Sequence, residues 1–407
     1  MNGAMNDRLK ILFGGFIVCS VLFLPDVHLK SSWPAVQLID FLVPFLAISV
    51  LRSYASTLTK SYFIGLGVFA LLMLLSMAIN GRIFVVQDLF ELYKLIKYGV
   101  IVAFFAQVPI RELLNVWLKP MFVLLVGVNA LHFFNVFGFN QVISDFYNGG
   151  IHIEYFGLNS IKEPAVKRMV GFAGNPNINA LIFLFFSIFF LPVKKTQQTI
   201  WWFLLAVLMV FLCQSRTAIL CLSAILLASA YVLSTHFTLS KWLQLGIGIG
   251  AMYLVSWALA TDLFTHSLYS NNLFTGHILK TGSARGRWES WTFLGDMILQ
   301  RPLFGYGGNK AYFYAQKIYS ENEYILMAWR YGIFGLMGYL LIYFLPLKAF
   351  FHAKKIEQSY PALLCIVLML VAALTNNPFV DRTIMVLFAA VIGAVYSQLS
   401  THQTHVE

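Results

Sequence analysis

The sequence predicts an all-α polytopic membrane protein with about twelve transmembrane helices. Of its 407 residues, 59% are hydrophobic and 11% are charged, whereas soluble proteins contain about 45–50% apolar and about 25% charged residues. So few charges cannot cover a soluble surface. Twelve apolar runs each approach the roughly 20 residues that cross a bilayer as a helix, the form that pairs all backbone polar groups within its own segment. We expect residues 1–407 to form a single integral membrane domain.

The predicted spans follow one another along the chain without an internal repeat. They cover residues 11–26, 33–51, 61–79, 92–110, 118–138, 176–193, 197–214, 216–234, 242–260, 322–345, 358–376 and 383–400. The first is short and has a basic start, but Asp26-Val27-His28 stands where a cleavable signal peptide would carry small residues. We therefore expect this segment to be retained as a span.

Basic residues predict which side of the membrane each connection faces. The chain has 28 Lys and Arg against 17 Asp and Glu, a net charge of +11, which we interpret as the positive-inside bias together with sites for anionic lipid or phosphate. With the N-terminus inside, four basic residues lie in short outer connections: Lys30, Arg82, Arg216 and Arg382. Twelve lie in cytoplasmic ones: Arg8, Lys10, Arg52, Lys60, Arg111, Lys119, Lys194, Lys195, Lys241, Lys348, Lys354 and Lys355. Both termini are therefore predicted to be cytoplasmic.

Two predicted outer connections are long, and long loops are usually functional. Residues 139–175 are predicted to form one outer loop, and residues 261–321, between spans nine and ten, a larger one. From Arg287 onward the larger loop has helical periodicity, with four apolar residues on one face: Trp288, Trp291, Leu294 and Ile298. This pattern predicts an amphipathic helix at the outer membrane surface.

Three arginines are candidates for binding an anion. Arg216 follows an almost absent connection and opens span eight, where the positive end of the helix dipole disfavours a cation unless an anion binds as well. Arg285 and Arg287 precede or open the amphipathic helix, in a similar position. The alternative for each is contact with lipid headgroups.

Lys97 lies near the outer end of span four, and ionisable residues at membrane depth are functional candidates. We predict that Lys97 faces the same pocket as Arg216. A second candidate for substrate binding is the segment from Arg168 to Asn177, whose asparagines and glycines suit sugar recognition. Asn175 also fits the N-cap of span six, and capping alone is the alternative explanation.

The segment Ser320-Glu321-Asn322-Glu323 leads into span ten. Ser320 and Glu323 have the spacing of a capping box, which leaves Glu321 and Asn322 at the outer mouth. Glu321 is the candidate general base, and Asn322 a candidate substrate ligand. The alternative for Glu321 is a carboxylate that only stabilises the helix start.

The four cysteines all lie in apolar runs, so no disulfide framework is expected. The nine histidines are scattered along the chain and suggest no metal site.

The order of these motifs resembles a known family. A Ser-Arg after a short connection is followed by Gly-x-x-Arg-x-Arg-Trp in a long loop, then by Arg-Pro-Leu-Phe-Gly-Tyr-Gly, Glu-Asn-Glu-Tyr and Tyr-Gly-Ile-Phe-Gly. This arrangement resembles the superfamily of O-antigen ligases and Wzy-type O-antigen or capsule polymerases. The resemblance covers the topology of the whole chain and is densest between Arg168 and Gly338.

The resemblance implies a metal-independent inner-membrane glycosyltransferase without a cofactor. Such enzymes move glycan from undecaprenyl diphosphate to an acceptor hydroxyl on the periplasmic side. Arg216 matches the family's arginine at the start of the eighth span, and Arg287 matches its large-loop arginine, with Arg285 as an additional candidate. The implied partners are the lipid-linked glycan, an acceptor glycan and membrane lipid, with a chain-length regulator as a further candidate and no nucleic acid.

One position distinguishes the two branches of the superfamily. Ligases carry a histidine eleven residues before the first glycine of the following span, and here Glu321 occupies that position, since 332 − 321 = 11. An acidic residue there favours a polymerase over a ligase that uses lipid A–core as acceptor. The alternative from a different functional class is a secondary transporter or glycan flippase. Such proteins usually show paired repeats and substrate-binding groups near the membrane midplane, whereas this chain has no internal repeat and its charged candidates gather at one face.

Overall fold

The computed structural model describes residues 6–27, 35–51, 57–83, 85–147, 168–192, 198–232, 243, 245–254, 282–309, 312, 320–351 and 356–403. Helices make up most of this part of the chain. In chain order they are α1 (Asp7–Phe23), α2 (Leu38–Leu51), α3 (Thr57–Ile79), α4 (Val86–Phe105), α5 (Ile110–Phe134, with a π-helical turn at Leu114–Leu118), α6 (Phe139–Phe146), α7 (Pro176–Phe190), α8 (Gln198–Leu212), α9 (Arg216–Val232), α10 (Leu245–Leu254), α11 (Gly282–Gln300), α12 (Glu323–Phe351), α13 (Ile356–Ala372) and α14 (Arg382–Gln403).

Three of the helices have the length and composition of membrane-spanning segments, and several others are apolar but shorter. Among the residues described, three apolar stretches of 18 residues or more could each cross a membrane: Tyr62–Ile79, Ile110–Phe134 and Glu323–Leu347. Seven further apolar helices have 10–17 residues. Large apolar side chains face outward, as with Phe45 at 71% and Leu227 at 74% exposure, where lipid would surround them. The protein is an all-α polytopic membrane protein, as predicted.

Every predicted span overlaps a helix, but α4 begins at Val86, before the predicted residue 92. The extra turns carry Asp88 and Glu91, which are 0% and 3% exposed. Arg82 pairs with Asp88 at 2.7 Å, and Lys94 pairs with Glu91 at 2.6 Å. Because these charges are paired inside the protein, the helix can extend beyond its apolar run.

Four close helix pairs organise the bundle. α12 packs along α3, α14 along α4, α8 along α7, and α13 along α9. Aromatic residues fill the junction of α3, α12 and the connection before α14. There the ring centroid of Phe69 lies 6.0 Å from Tyr331, 6.2 Å from Tyr339 and 5.8 Å from Phe379, distances typical of edge-to-face contacts.

The predicted amphipathic helix is present as α11, and part of its predicted apolar face packs against α12. It begins at Gly282, before Arg287. Leu294 is fully buried and packs in a cluster with Leu326 and Trp329 of α12. Ile298, on the same predicted face, also packs against this cluster. Trp291 is partly buried, and Trp288 is 69% exposed. α11 therefore uses the predicted face at Leu294 and Ile298 to pack against α12, and its place at the outer membrane surface stays a prediction.

The turn after α11 fits into a break in α12. The backbone N–H of Ile333 donates to the carbonyl oxygen of Pro302 at 2.8 Å, and that of Tyr306 donates to Trp329 at 3.0 Å. The break is at Gly332, whose φ of 69° lies in the left-handed region. A Cβ atom at this position would overlap the carbonyl oxygen of Leu303. The Pro-Leu-Phe-Gly and Tyr-Gly motifs are therefore mutual packing partners.

Candidate functional site

Arg216 is placed by a tight turn between α8 and α9. Gln214 has a left-handed φ of 48°, which reverses the chain within residues 213–215. The side-chain oxygen of Ser215 accepts a hydrogen bond from the backbone N–H of Ala218 at 3.3 Å, as expected for an N-cap. Arg216 is the first residue of α9 and is partly exposed. The predicted position of Arg216 at a helix start is confirmed.

Arg287 and Glu321 form an ion pair between α11 and the segment that leads into α12. Both Nε and Nη2 of Arg287 contact the same carboxylate oxygen, Oε2 of Glu321. The two side chains are 26% and 44% exposed. Within the described residues, the other oxygen of Glu321, Oε1, has no hydrogen-bond partner in the protein. The pair is thus accessible, and one carboxylate oxygen can accept a proton or a hydrogen bond.

Arg216 lies close enough to act electrostatically on both members of this pair. Its interaction is repulsive with Arg287 and attractive with Glu321. The three residues predicted to be catalytic thus lie within electrostatic reach of one another: Arg216 on α9, Arg287 on α11 and Glu321 in the segment before α12. Two guanidinium groups beside one carboxylate leave a net positive charge, and guanidinium groups bind phosphate oxygens in a bidentate manner.

Arg168 lies beside the turn that carries Arg216. Its Nε donates to the carbonyl oxygen of Cys213 at 3.0 Å, and its Nη2 donates to Oδ1 of Asn177 at 2.9 Å. The side chain of Asn175 accepts from the backbone N–H of Asn177 at 2.8 Å and caps α7. Two of the predicted substrate ligands, Arg168 and Asn177, are thus in contact, whereas the Asn175 oxygen serves the helix cap.

The predicted capping box of Ser320 and Glu323 is wrong, because Asn322 caps α12. Oδ1 of Asn322 accepts from the backbone N–H of Ile325 at 3.1 Å, and its Nδ2 donates to the carbonyl oxygen of Leu374 at 3.0 Å. Asparagine is as good an N-cap as serine and directly precedes the helix. Glu323 instead turns into the bundle and is fully buried. Both functional groups of the Asn322 amide have a structural role, and its role as a substrate ligand stays a prediction.

The side chain of Lys97 is paired inside the protein. Its Nζ lies 2.8 Å from Oδ1 of Asp40 on α2 and 3.4 Å from Oε1 of Gln37. Lys97 is 0% exposed. A buried ammonium group requires a counter-ion, and the carboxylate on the neighbouring helix provides it. Lys97 therefore belongs to the contact between α2 and α4.

The segment that carries Arg216, Arg287 and Glu321 matches a known protein family. Residues 201–340 match the family model described as O-antigen ligase. This segment is similar to the O-antigen ligase family. This confirms, at the level of the superfamily, the resemblance predicted from the motifs, and it indicates glycan transfer with lipid-linked substrates as the class of activity. A search of curated proteins gives no significant match.

The matched segment extends from α8 into α12 and contains Arg216, Arg287 and Glu321. Arg285 also belongs to it, on the first turns of α11, although its side chain lies outside the described residues. Arg168 and Asn177 precede the matched segment in sequence but contact its residue Cys213 or one another. The candidate site thus combines the matched segment with the chain just before it.

The connection between α13 and α14, residues 373–381, borders the site and was missed by the sequence reasoning. The hydroxyl of Thr375 lies 2.6 Å from that of Thr217, next to Arg216. Nδ2 of Asn377 donates to the carbonyl oxygen of Ser320 at 2.5 Å. The predicted span 358–376 included the first part of this connection, whereas α13 ends at Ala372. The polar run Thr375-Asn376-Asn377 is the signal that could have ended the predicted span earlier.

Proposed function

We propose that this protein is a polysaccharide polymerase for O-antigen or capsule. It transfers glycan from undecaprenyl diphosphate to an acceptor sugar hydroxyl at the periplasmic face of the bacterial inner membrane. The observation that carries the proposal is the ion pair between Arg287 and Glu321, which lies within electrostatic reach of Arg216. The similarity to the O-antigen ligase family supports the same class of reaction.

The two arginines bind the diphosphate of the donor. Arginine has five N–H donors, and Arg287 uses Nε and one Nη for Glu321, so its other edge can bind a phosphate oxygen. Arg216 adds a second guanidinium at the start of α9, where the backbone N–H groups also favour an anion. Fixed guanidinium groups stabilise the charge that develops on the leaving diphosphate, and the proposed reaction therefore needs no metal ion.

Glu321 accepts the proton of the acceptor hydroxyl. The acceptor oxygen forms a bond to the anomeric carbon while the bond from that carbon to the phosphate oxygen breaks. The bonding electrons leave with the diphosphate, and the proton moves to Oε1 of Glu321. A single in-line displacement of this kind inverts the anomeric centre.

The ion pair between Arg287 and Glu321 couples the two halves of this step. Protonation of Glu321 removes the negative charge that Arg287 faces in the pair. The full positive charge of Arg287 then acts on the diphosphate at the moment when its own negative charge increases. The pair thus supports a transfer in which base and leaving-group stabiliser act together.

An O-antigen ligase that uses lipid A–core as acceptor is the second candidate, favoured by the description of the matching family model. Glu321 favours the polymerase, because it occupies the position of the histidine in the ligases that the sequence resembles. Both candidates use the same donor, so the acceptor distinguishes them.

Deletion in the native strain tests the choice between the two. Loss of a polymerase leaves single repeat units on lipid A–core, whereas loss of a ligase leaves no O-antigen there. We expect single repeats in the deletion strain and long chains after complementation with the wild-type gene or with the control Arg111→Ala, an exposed arginine on α5. Lipid A–core without any repeat would contradict the polymerase and favour the ligase.

A further inference from the structure

Glu323 links the start of α12 to the connection between α13 and α14. We propose that Glu323 is a positioning residue that fixes this connection, residues 373–381, and that the connection in turn fixes Glu321 relative to Arg216. This role rests on the proposed function of Glu321 and Arg216. It differs from that function because Glu323 is buried and does not touch the substrate.

The carboxylate of Glu323 is surrounded by hydrogen-bond donors. Its Oε2 accepts from the backbone N–H of Phe379 at 2.9 Å and from the hydroxyl of Tyr339 at 3.2 Å. Its Oε1 accepts from the backbone N–H of Val380 at 3.2 Å. The backbone N–H of Glu323 itself donates to the carbonyl oxygen of Ala373 at 2.9 Å. One residue therefore holds both ends of the connection.

The connection contacts the residues on either side of Glu321. On one side, Nδ2 of Asn377 donates to the carbonyl oxygen of Ser320 at 2.5 Å. On the other side, Nδ2 of Asn322 donates to the carbonyl oxygen of Leu374 at 3.0 Å. The backbone that carries Glu321 is thus held from both directions by the same segment.

The connection also reaches the helix that carries Arg216. The hydroxyl groups of Thr375 and Thr217 lie 2.6 Å apart, and Thr217 directly follows Arg216 at the start of α9. A chain of direct contacts therefore runs from Glu323 through the connection to both catalytic elements. Movement of the connection would change the distance between Arg216 and Glu321.

Glu323 is not needed to begin α12. Asn322 already supplies the N-cap by accepting from the backbone N–H of Ile325. A carboxylate that only stabilised a helix start would lie near the first N–H groups of its own helix. The acceptor oxygens of Glu323 instead bind residues 56 and 57 positions later in the sequence, in addition to Tyr339.

The substitution Glu323→Gln tests this role in the full-length protein reconstituted in proteoliposomes. The amide has the same shape, but one of its groups becomes a donor, so at least one backbone N–H of the connection loses its acceptor. We expect kcat to fall about 10- to 100-fold, the effect of a small misplacement of reacting groups, while KM for the donor changes less than about twofold. The matched control Glu112→Gln, at an exposed carboxylate on α5, should keep the wild-type kcat.

Hydrogen exchange gives a readout that does not depend on activity. In Glu323→Gln, the amides of residues 373–381 should exchange faster than in the wild type, whereas those of α7 should not change. Wild-type exchange in the connection, or faster exchange with a normal kcat, would each overturn the proposal. If Glu323→Gln does not fold, Asn377→Ala is the second test, because it removes one contact of the connection to Ser320. This variant must show the same loss of kcat at constant donor KM. A normal kcat in Asn377→Ala overturns the proposal.

A double-variant comparison separates this inference from the proposed function. If Glu323 acts through Glu321, adding Glu323→Gln to Glu321→Gln should not reduce the residual transfer rate further. The group that Glu323 positions has then already lost its function, so the two effects are not additive. If the fold-losses in transfer rate of the two single variants multiply in the double variant, the positioning role is overturned. If Glu321→Gln alone keeps full activity, the proposed base is wrong, and the exchange experiment still decides whether Glu323 fixes the connection.

Discussion

Arg287 on α11 is paired with Glu321, which lies 34 residues later in the segment before α12. The two side chains are 26% and 44% exposed, and ion pairs between solvent-accessible groups contribute only about 0–1 kcal/mol to stability. The pair therefore has little importance for the stability of the fold. Its importance is that it holds a guanidinium group and a carboxylate side by side, within electrostatic reach of Arg216.

Arg216→Ala should impair use of the lipid-linked donor. Loss of a charge-assisted contact costs about 1.5–3 kcal/mol, which corresponds to a decrease in kcat/KM of roughly 10- to 150-fold. Arg216→Lys should restore little activity, because an ammonium group lacks the bidentate geometry. Transfer assays in membranes, with Arg111→Ala as the control, measure both effects. Full-length polymer from Arg216→Ala at a normal membrane level would exclude the proposed role.

Lys97→Met should destabilise the protein rather than weaken donor binding. The substitution leaves the carboxylate of Asp40 buried without its partner at 2.8 Å, and breaking a buried ion pair costs about 3–5 kcal/mol. The double variant Lys97→Met with Asp40→Leu should recover much of this loss, since neither charge remains. Thermal unfolding in detergent measures the change. A stable Lys97→Met protein with weakened donor binding would support the earlier prediction that Lys97 binds substrate.

Gly332→Ala should disturb the packing of the turn after α11 into the break in α12. The residue has a φ of 69°, and an added Cβ atom would overlap the carbonyl oxygen of Leu303. Backbone strain of this kind costs about 1–3 kcal/mol before the overlap is counted. Gly127→Ala on α5 is the control, because a Cβ atom there meets no atom within 4 Å. Equal thermal stability of the two variants would show that the break tolerates a side chain.

Cysteine labelling tests the side of the membrane on which the site lies. Glu289 on α11 and Glu112 on α5 are both exposed, and three of the four native cysteines are buried. In cells with a permeabilised outer membrane, an impermeant reagent should label Glu289→Cys and not Glu112→Cys. Labelling of Glu112→Cys alone would contradict the proposed topology and indicate the opposite orientation in the membrane.

The spans were predictable because lipid requires long apolar runs, and those runs can be read directly from the sequence. The start of α4 was not predictable from the sequence. Asp88 and Glu91 become compatible with a buried helix through ion pairs with Arg82, Lys94 and the distant Arg330. The capping of α12 was mispredicted for a similar reason. Ser320 and Glu323 have the right local spacing, but the backbone donors of Phe379 and Val380 bind Glu323 instead. Local patterns do not report such distant partners.

The candidate site was predictable in part. Arg216, Arg287 and Glu321 were identified from the order of motifs, and in the structure they lie within electrostatic reach of one another. The connection at residues 373–381 was not identified, because its relation to the site depends on contacts such as that between Asn377 and Ser320, 57 positions apart. Lys97 was assigned to the site on depth alone, and depth does not specify which neighbour a charged side chain meets.

The decisive variant for the proposed reaction is Glu321→Gln, assayed as purified protein in proteoliposomes with a lipid-linked donor. The amide keeps the shape of the side chain but cannot accept the proton of the acceptor hydroxyl. Loss of a general base slows a reaction by about 10²- to 10⁴-fold, so the transfer rate should fall by this factor while donor binding in the same sample is retained. A transfer rate equal to that of the wild type would contradict the role of Glu321 and, with it, the proposed mechanism.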